Sequence, residues 1–297
     1  MHKRVTIVTH SGKFHADDVF ATATLILLFG KRPVVAHIER TRDEAVIATG
    51  DFVLDVGSVY DPLKERFDHH QTGGAGTRAN GIPYAAFGLV WKKYGAVVAG
   101  SEDAASMLDK NLVQFIDCLD NGIGALKPVH ADAMPYTVDE IIDIFNPSWR
   151  DASPEYDERF GEAVNFASKI LSREIKNTQD FLASKEIIES AYENARDKRS
   201  IFLEKNYQWG NILNKFPEPL FVVEPSYEHW RVGTVRDNPT TFDDRKKLPE
   251  AWAGKRDAEL AQASGVPDAV FCHNKRFMAI AKTKEGALAL AQKALDF

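Results

Sequence analysis

Two short stretches, His10-Ser11-Gly12-Lys13-Phe14-His15-Ala16-Asp17-Asp18 and Asp68-His69-His70, hold four of the nine histidines, and each follows an apolar run that reads as a strand. Asp55 closes a third such run. In an open parallel sheet, ligands bind beyond the carboxyl ends of the strands. One sheet edge is therefore expected to gather imidazoles and carboxylates from three separate segments. Such groups repel or stay unsatisfied unless something positive lies among them, and a divalent cation is the ordinary solution. With no thiolate in these stretches, Mn²⁺, Mg²⁺ and Zn²⁺ are the candidates, and mixed His/Asp ligation leans towards Mn²⁺. His15 and Asp17, two apart at a strand-to-helix turn, can be aimed inward by one loop, and Asp55 at the next strand end is placed to bridge a second ion. Two ions roughly 4 Å apart activate a water and carry the charge of an in-line phosphoryl displacement. Singly, each residue has a plainer reading as a cap or turn former; jointly they predict a two-metal phosphoesterase.

The elements that must position these residues follow from the hydrophobic pattern. Segments 5–8, 34–38 and 52–56 are rich in β-branched residues and separated by helical-length stretches, as in βαβ units. The first crossover, 17–29, starts on acids and ends at Gly30. A fourth strand is expected at 65–67. The Gly-rich loop 72–81 leads to a helix beginning near Pro83 and ending before Gly95. Another helix runs from the N-cap Ser101 to about Asp120 and stops at Asn121-Gly122. A long helical pattern spans Pro154 to about Arg196, with Phe160, Val164, Ala167, Leu171 and Ile175 on one stripe. After a break at 209–219 come strands at 221–224 and 230–235, a helix at 257–264, a hairpin of 270–273 and 277–281, and a last helix at 284–295. The expected architecture is α/β: a mostly parallel sheet flanked by helices over 1–195, then a second, smaller α/β domain over 196–297, with substrate in the cleft between them.

Composition narrows the class. A chain of 297 residues, 44% hydrophobic and 27% charged, buries a full core and is not disordered. The apolar run 19–29 is about half a bilayer crossing and is broken by Thr22 and Thr24, so no membrane span is expected. The first residues read as a strand and not as a signal peptide, which predicts a cytoplasmic protein. Cys118 and Cys272 sit far apart in apolar surroundings and exclude a disulfide framework. A net charge of −6 does not advertise nucleic-acid binding, but bound divalent cations reverse the local sign where a phosphate sits.

Together, Asp68-His69-His70 after an apolar strand, Leu54-Asp55 and His10 with His15-Ala16-Asp17 resemble the DHH phosphoesterase superfamily. The stretches 9–18 and 68–71 resemble, more narrowly, the melanocyte-proliferating-gene family of metal-dependent exonucleases acting on RNA from the 3′ end. Segments 115–122, 248–257 and 283–288 extend the likeness over nearly the whole chain. The resemblance implies that His10, His15, Asp17, Asp55, His69 and Asp120 are metal ligands, with Asp55 shared between the ions. It further implies that His70 faces the scissile phosphate and that Asp68 orients a histidine. Asp117 rivals Asp120, three residues away on the same helix face; Asp120 is preferred because it sits at the helix end. Asp18 reads as a helix-start residue that favours the dipole.

In the wider superfamily an aspartate stands where His15 stands here, so this site carries less negative charge. Arg78 and Asn80 in the Gly-rich loop, and Arg245 and Lys282 in the second domain, are the candidate substrate contacts. The glycine-rich turn ending in His that many superfamily members use to grip substrate is replaced by Phe277-Met278-Ala279-Ile280-Ala281-Lys282, and Ala86 stands where family members often have Ser. The expected activity is hydrolysis at the 3′ end of single-stranded RNA or short oligonucleotides. Its rivals are a phosphatase for pyrophosphate, nucleotides or cyclic dinucleotides, and a non-catalytic metal- or nucleotide-binding regulator.

Overall fold

The computed structural model describes residues 3–30, 32, 34–124, 126, 130, 132–151, 155–238 and 241–297. It is an α/β protein whose chain separates into two compact units, Met1–Gln179 and Asp180–Phe297. None of the helices among the described residues is long and apolar enough to cross a membrane.

The first unit is built on a five-stranded sheet of β1 (Lys3–Thr9), β2 (Val34–Arg40), β3 (Phe52–Leu54), β4 (Tyr60–Asp61) and β5 (Arg66–Phe67), in the order β2-β1-β3-β5-β4. β1 pairs in parallel with β2 and β3, and β3 with β5, while the two-residue β4 doubles back antiparallel on β5. Register sets the site. Val8 lies opposite Val53 and Leu54 opposite Phe67, so His10, Asp55 and Asp68 leave the sheet at one level.

Between β1 and β2 runs α1 (Ala16–Gly30), in which every residue from Ala16 to Leu25 is buried. Its polar Thr24 returns its hydroxyl to the Phe20 carbonyl at 2.8 Å, the usual way for such a residue to enter an apolar helix. The short α2 (Glu44–Thr49) is capped by Asp43. At the end of β2, the buried Arg40 lies over the rings of Phe14 and Phe160, donates to the Gly12 carbonyl at 2.8 Å and pairs with Asp157 at 3.1 Å. This cation holds the loop between His10 and His15 in place.

The helix expected to stop before Gly95 continues: α3 is Ala86–Ala99 and ends at Gly100, whose φ of 88° only glycine adopts readily. Gly95 instead makes room, since a Cβ there would lie 2.9 Å from the Trp91 indole. The helix expected from Ser101 to Asp120 is interrupted. Ser101 caps α4 (Glu102–Leu108), a π turn follows at Asp109–Val113, and α5 (Gln114–Asp120) completes the run. α6 (Val138–Asp143) opens with a capping box between Thr137 and Glu140. α7 (Tyr156–Asn194) buries the predicted stripe from Phe160 to Ile175. Its expected start, Pro154, lies outside the described residues.

The second unit carries the sheet β6-β7-β8-β10-β9, from β6 (Ser200–Phe202), β7 (Phe221–Ser226), β8 (His229–Thr234), β9 (Ala269–Cys272) and β10 (Met278–Ala281). β6 is parallel to β7 and the other pairs are antiparallel. Alternation along β7 divides its faces. Phe221 and Val223 pack with Trp252, Leu248 and Leu290 of α10 (Lys284–Asp296), whereas Val222 packs with Ile201, Ile212 and Ile188. α8 (Gly210–Leu213) and α9 (Asp257–Ser264) complete the unit. Because Phe181, Ile188 and Ala191 of α7 join this core, the division falls inside α7 and not after residue 195.

Two glycines test the packing. At Gly88, in α3, an added Cβ would meet Asp117 Oδ2 at 1.9 Å, whereas at Gly161, in α7, it would meet nothing within 4 Å. Gly88→Ala is expected to destabilise the first unit by about 1–3 kcal/mol, and Gly161→Ala to stabilise it by about 1 kcal/mol, as read by chemical denaturation.

Candidate metal centre

Asp55 is the hinge of the site. It follows β3 with a φ of 54°, a left-handed conformation that Asp tolerates better than most residues. Its amide stays on the sheet, donating to the Phe67 carbonyl at 3.1 Å, while the turn sends the side chain among three imidazoles. Asp55 Oδ2 lies 3.4 Å from His10 Nε2, and Oδ1 lies 3.3 Å from both His69 Nε2 and His70 Nδ1. On its other side, His69 Nε2 is 3.0 Å from Asp120 Oδ2. Ligand-type atoms of Asp55, His69 and His70 lie within 4.8 Å of one another, as do those of Asp17, His69 and Asp120. His69 is common to the two groups. His15 is exposed, with its ring centre 6.0 Å from that of His10.

The groups around Asp55 are held from behind. His10 Nδ1 lies 3.3 Å from the Ser11 carbonyl, while its Nε2 faces the carboxylates of Asp18 and Asp55. Asp68 accepts from the Ser58 amide at 2.5 Å and the His70 amide at 3.0 Å, and its Oδ1 lies 2.8 Å from His70 Nδ1. Asp17 accepts from the amides of Ala86 and Phe87 at 2.8 and 2.7 Å, so a carboxylate from α1 caps the start of α3. Asp117 accepts from the Gly88 amide at 3.0 Å and pairs with Arg78 at 2.6 Å. The two rivals are thereby distinguished in place: Asp120 faces His69, and Asp117 faces α3 and Arg78.

The electrostatics describe a cage that demands positive charge. Burial would lower the His10 and His69 imidazoles, but the carboxylates around them outweigh it, raising His10 to about 10 through Asp18 and Asp55 and His69 to about 11 through Asp120 and Asp55. Burial opposes ionisation of Asp55, yet hydrogen bonds from His10 and His69 bring it down to about 2. Asp17, wholly buried and crowded by Asp120, Asp55 and Asp117, is pushed up. Asp18 Oδ2, Asp55 Oδ1 and His69 Nε2 are buried, and each meets only imidazole–carboxylate contacts of 3.0–3.3 Å that lack good hydrogen-bond geometry. Oxygen and nitrogen donors of mixed type, converging where imidazoles otherwise take up protons, fit divalent cations.

A cavity of about 550 Å³ opens onto this cage, lined by His10, His15, Asp55, Asp68, His70 and Asp120. Two further groups that line the cavity, Arg42 and Asp139, and one behind His10, Asp18, were not anticipated in these roles. Asp18 is fully buried, takes the His15 amide at 2.9 Å and faces His10 Nε2 at 3.3 Å. Arg42 brings its guanidinium within 3.3 Å of His10 Nδ1, and Asp139 comes from the start of α6. Arg42 and Asp139 lie far from both motifs in sequence, and only an acid at the start of the apolar α1 marked Asp18.

Arg78, Asn80, Arg245 and Lys282 are the expected substrate contacts. Arg78 is buried, bonded to Asp109 and Asp117 and stacked on Tyr84, while Asn80 donates to Gln114 at 2.9 Å. Neither lines the cavity. In the second unit, Arg245 donates to the carbonyls of Asn214, Phe216 and Pro219, and Lys282 is exposed at the end of β10.

The family model MYG1_exonuc, described as Uncharacterised protein family (UPF0160), matches residues 6–295. The chain belongs to this family. MYG1 relatives match over nearly its whole length. The MYG1 protein of Caenorhabditis elegans is 32% identical, with 98% of this chain and 95% of the relative covered. The MYG1 protein of Schizosaccharomyces pombe is 31% identical, with 100% and 99% covered, and the MYG1 exonuclease of Homo sapiens is 31% identical, with 97% and 85% covered. Among solved structures, RecJ from Thermus thermophilus in complex with Mn²⁺ aligns at 14% identity and a TM-score of 0.28, covering 100% of this chain and 52% of that one.

The raised imidazoles set a pH dependence. Their folded pKa values lie above the ordinary imidazole value of 6.5, so in the metal-free chain their contribution to stability is complete below pH 6.5 and is lost as pH rises towards 10 and 11. At neutral pH a cation must displace those protons. Mn²⁺ loading at pH 7.5 is expected to release about one or more protons per chain and to tighten as pH rises. Calorimetry in buffers of different ionisation enthalpy reads the release, and a value of zero contradicts the cage.

Proposed function

We propose that this MYG1-family chain is a metal-dependent phosphodiesterase that removes nucleotides from the 3′ end of single-stranded RNA or short oligonucleotides with a pair of divalent cations, Mn²⁺ being the favoured species. The observation that carries the reading is the convergence of Asp55, between His10 on one oxygen and His69 and His70 on the other, at the edge of a cavity that also holds Asp120. The relative named MYG1 exonuclease supports the class of reaction.

His10, His15, Asp17, Asp55, His69 and Asp120 are the residues that would hold the cations. When bound, the ions supply positive charge to the phosphoryl oxygens and acidify a water. The protein supplies the remainder. Asp68, kept anionic by its hydrogen bonds against the effect of burial, grips His70 Nδ1 and raises that imidazole. His70, oriented by Asp68, thus offers its other ring nitrogen to a phosphoryl or leaving oxygen. Arg42, the lone Lys or Arg among the described residues that line the cavity, adds a second donor for the phosphate. Arg40 and Asp17 position: one fixes the loop before α1, the other fixes α3 against it.

The test is turnover of 5′-labelled single-stranded RNA, pyrophosphate and a cyclic dinucleotide at one Mn²⁺ concentration. RNA shortened stepwise from its 3′ end is expected; faster turnover of pyrophosphate or the dinucleotide would make the protein a small-molecule phosphatase. Asp68→Asn is expected to cost about 10–100-fold in kcat, the size of effect seen when a carboxylate that orients a site histidine is lost, and Asp55→Ala more than that, with circular dichroism unchanged. Full activity in Asp55→Ala would remove the shared-carboxylate role.

A further inference from the structure

Between the buried Phe14 and Ala16, His15 is exposed, and among the described residues its imidazole makes no hydrogen bond or ion pair. It nevertheless lines the cavity beside His10 and Asp120. An imidazole that nothing grips is aimed by its own backbone. Whatever holds that backbone decides where the ring nitrogens can reach.

Three consecutive amides here are each met by a side-chain oxygen. His15 directly precedes α1 and takes its N-cap position, for which imidazole is not a favoured cap. Asp18, three residues on, accepts from the His15 amide at 2.9 Å, one half of a capping box. Asp139, near the start of α6, brings its carboxylate to the Ala16 amide. Asn146, just past the end of α6, accepts from the Phe14 amide on Oδ1 at 3.0 Å and donates from Nδ2 to the Phe14 carbonyl at 2.9 Å. One side chain thus closes both backbone groups of one residue, as the opposite residue of an antiparallel strand would. A carboxamide carries the donor and the acceptor that this needs, whereas a carboxylate carries acceptors alone. Asp143 strengthens the joint, pairing with Lys13 at 2.8 Å.

The Phe14 ring is seated independently, edge-on to Phe160 at 5.4 Å and beneath the Arg40 guanidinium. Ring packing fixes where Phe14 sits but not the rotation of its peptide units, and that rotation would swing His15. Metal ligands depend on such supporting groups, since a site left loose around a flexible ligand loses its geometry.

We propose that Asn146 is a positioning residue for the metal centre: by clamping both backbone groups of Phe14 it aims His15 into the cavity, and the ion that His15 serves depends on it. This rests on the reading of His15 as a cation ligand, which the experiment tests with its own variant.

The full chain is titrated with Mn²⁺ by calorimetry, and its histidine ring nitrogens are followed by NMR as Zn²⁺ is added. Wild type is expected to take up a pair of ions. His15→Ala and Asn146→Ala are expected to weaken the same ion, Asn146→Ala by about 10–100-fold, as loss of a group that orients a metal ligand does, with the other ion little changed. Asn146→Asp, which keeps the acceptor and loses the donor, is expected to fall between Asn146→Ala and wild type. Zn²⁺ is expected to move the His15 ring signals in wild type and much less in Asn146→Ala, while those of His10 and His69 move in both. Ile142→Val, which loosens the buried face of α6 without touching the clamp, is expected to lower the unfolding midpoint and leave both ions in place. If Asn146→Ala binds both ions like wild type, or loses both together in step with its unfolding midpoint, the positioning role is overturned and the metal centre stands. Wild type that takes up no Mn²⁺, or His15→Ala that binds like wild type, would instead remove His15 as a ligand and the proposal with it.

Discussion

Negative charge that cannot be neutralised by water organises the first unit. Asp17, Asp18 and Asp55 are all buried at the carboxyl edge of a parallel sheet, and Asp117 lies behind them. Such a cluster is tolerable only if each oxygen meets a proton, an N–H or a cation. The structure divides the burden. Asp17 and Asp117 spend oxygens on the amides of α3, Asp18 on the amide of His15, and Asp55 on imidazoles. The helices are placed as much by these acids as by their apolar faces.

That division accounts for the Gly-rich loop and the π turn. Arg78, at the end of that loop, brings a guanidinium to Asp117 and to Asp109, which opens the π turn. A residue that looks like a phosphate contact is here a counter-ion for a buried acid. Arg245 shows the same economy in the second unit, where it gathers three loop carbonyls.

The strand ends were legible because β-branched runs and the rule for parallel sheets locate them without knowledge of side-chain packing; His10, Asp55 and Asp68 emerge level for that reason. Elements of two or three residues, such as β4 and β6, carry too few side chains to show a period. Gly95 misleads since a glycine that ends a helix and one that admits a tryptophan ring look alike in sequence. Asp18, Arg42 and Asp139 acquire meaning only from what lies opposite them, which no local pattern encodes.

Asp17 has two masters. Its oxygens begin α3 through Ala86 and Phe87, and the same carboxylate stands within reach of His69 and Asp120. Whatever occupies that position therefore acts on the anchoring of a helix. A cation bound there is linked to folding in the sense that any ligand of the native state is. Scarcity of such an ion would then lower the stability of the folded chain as well as idle its chemistry.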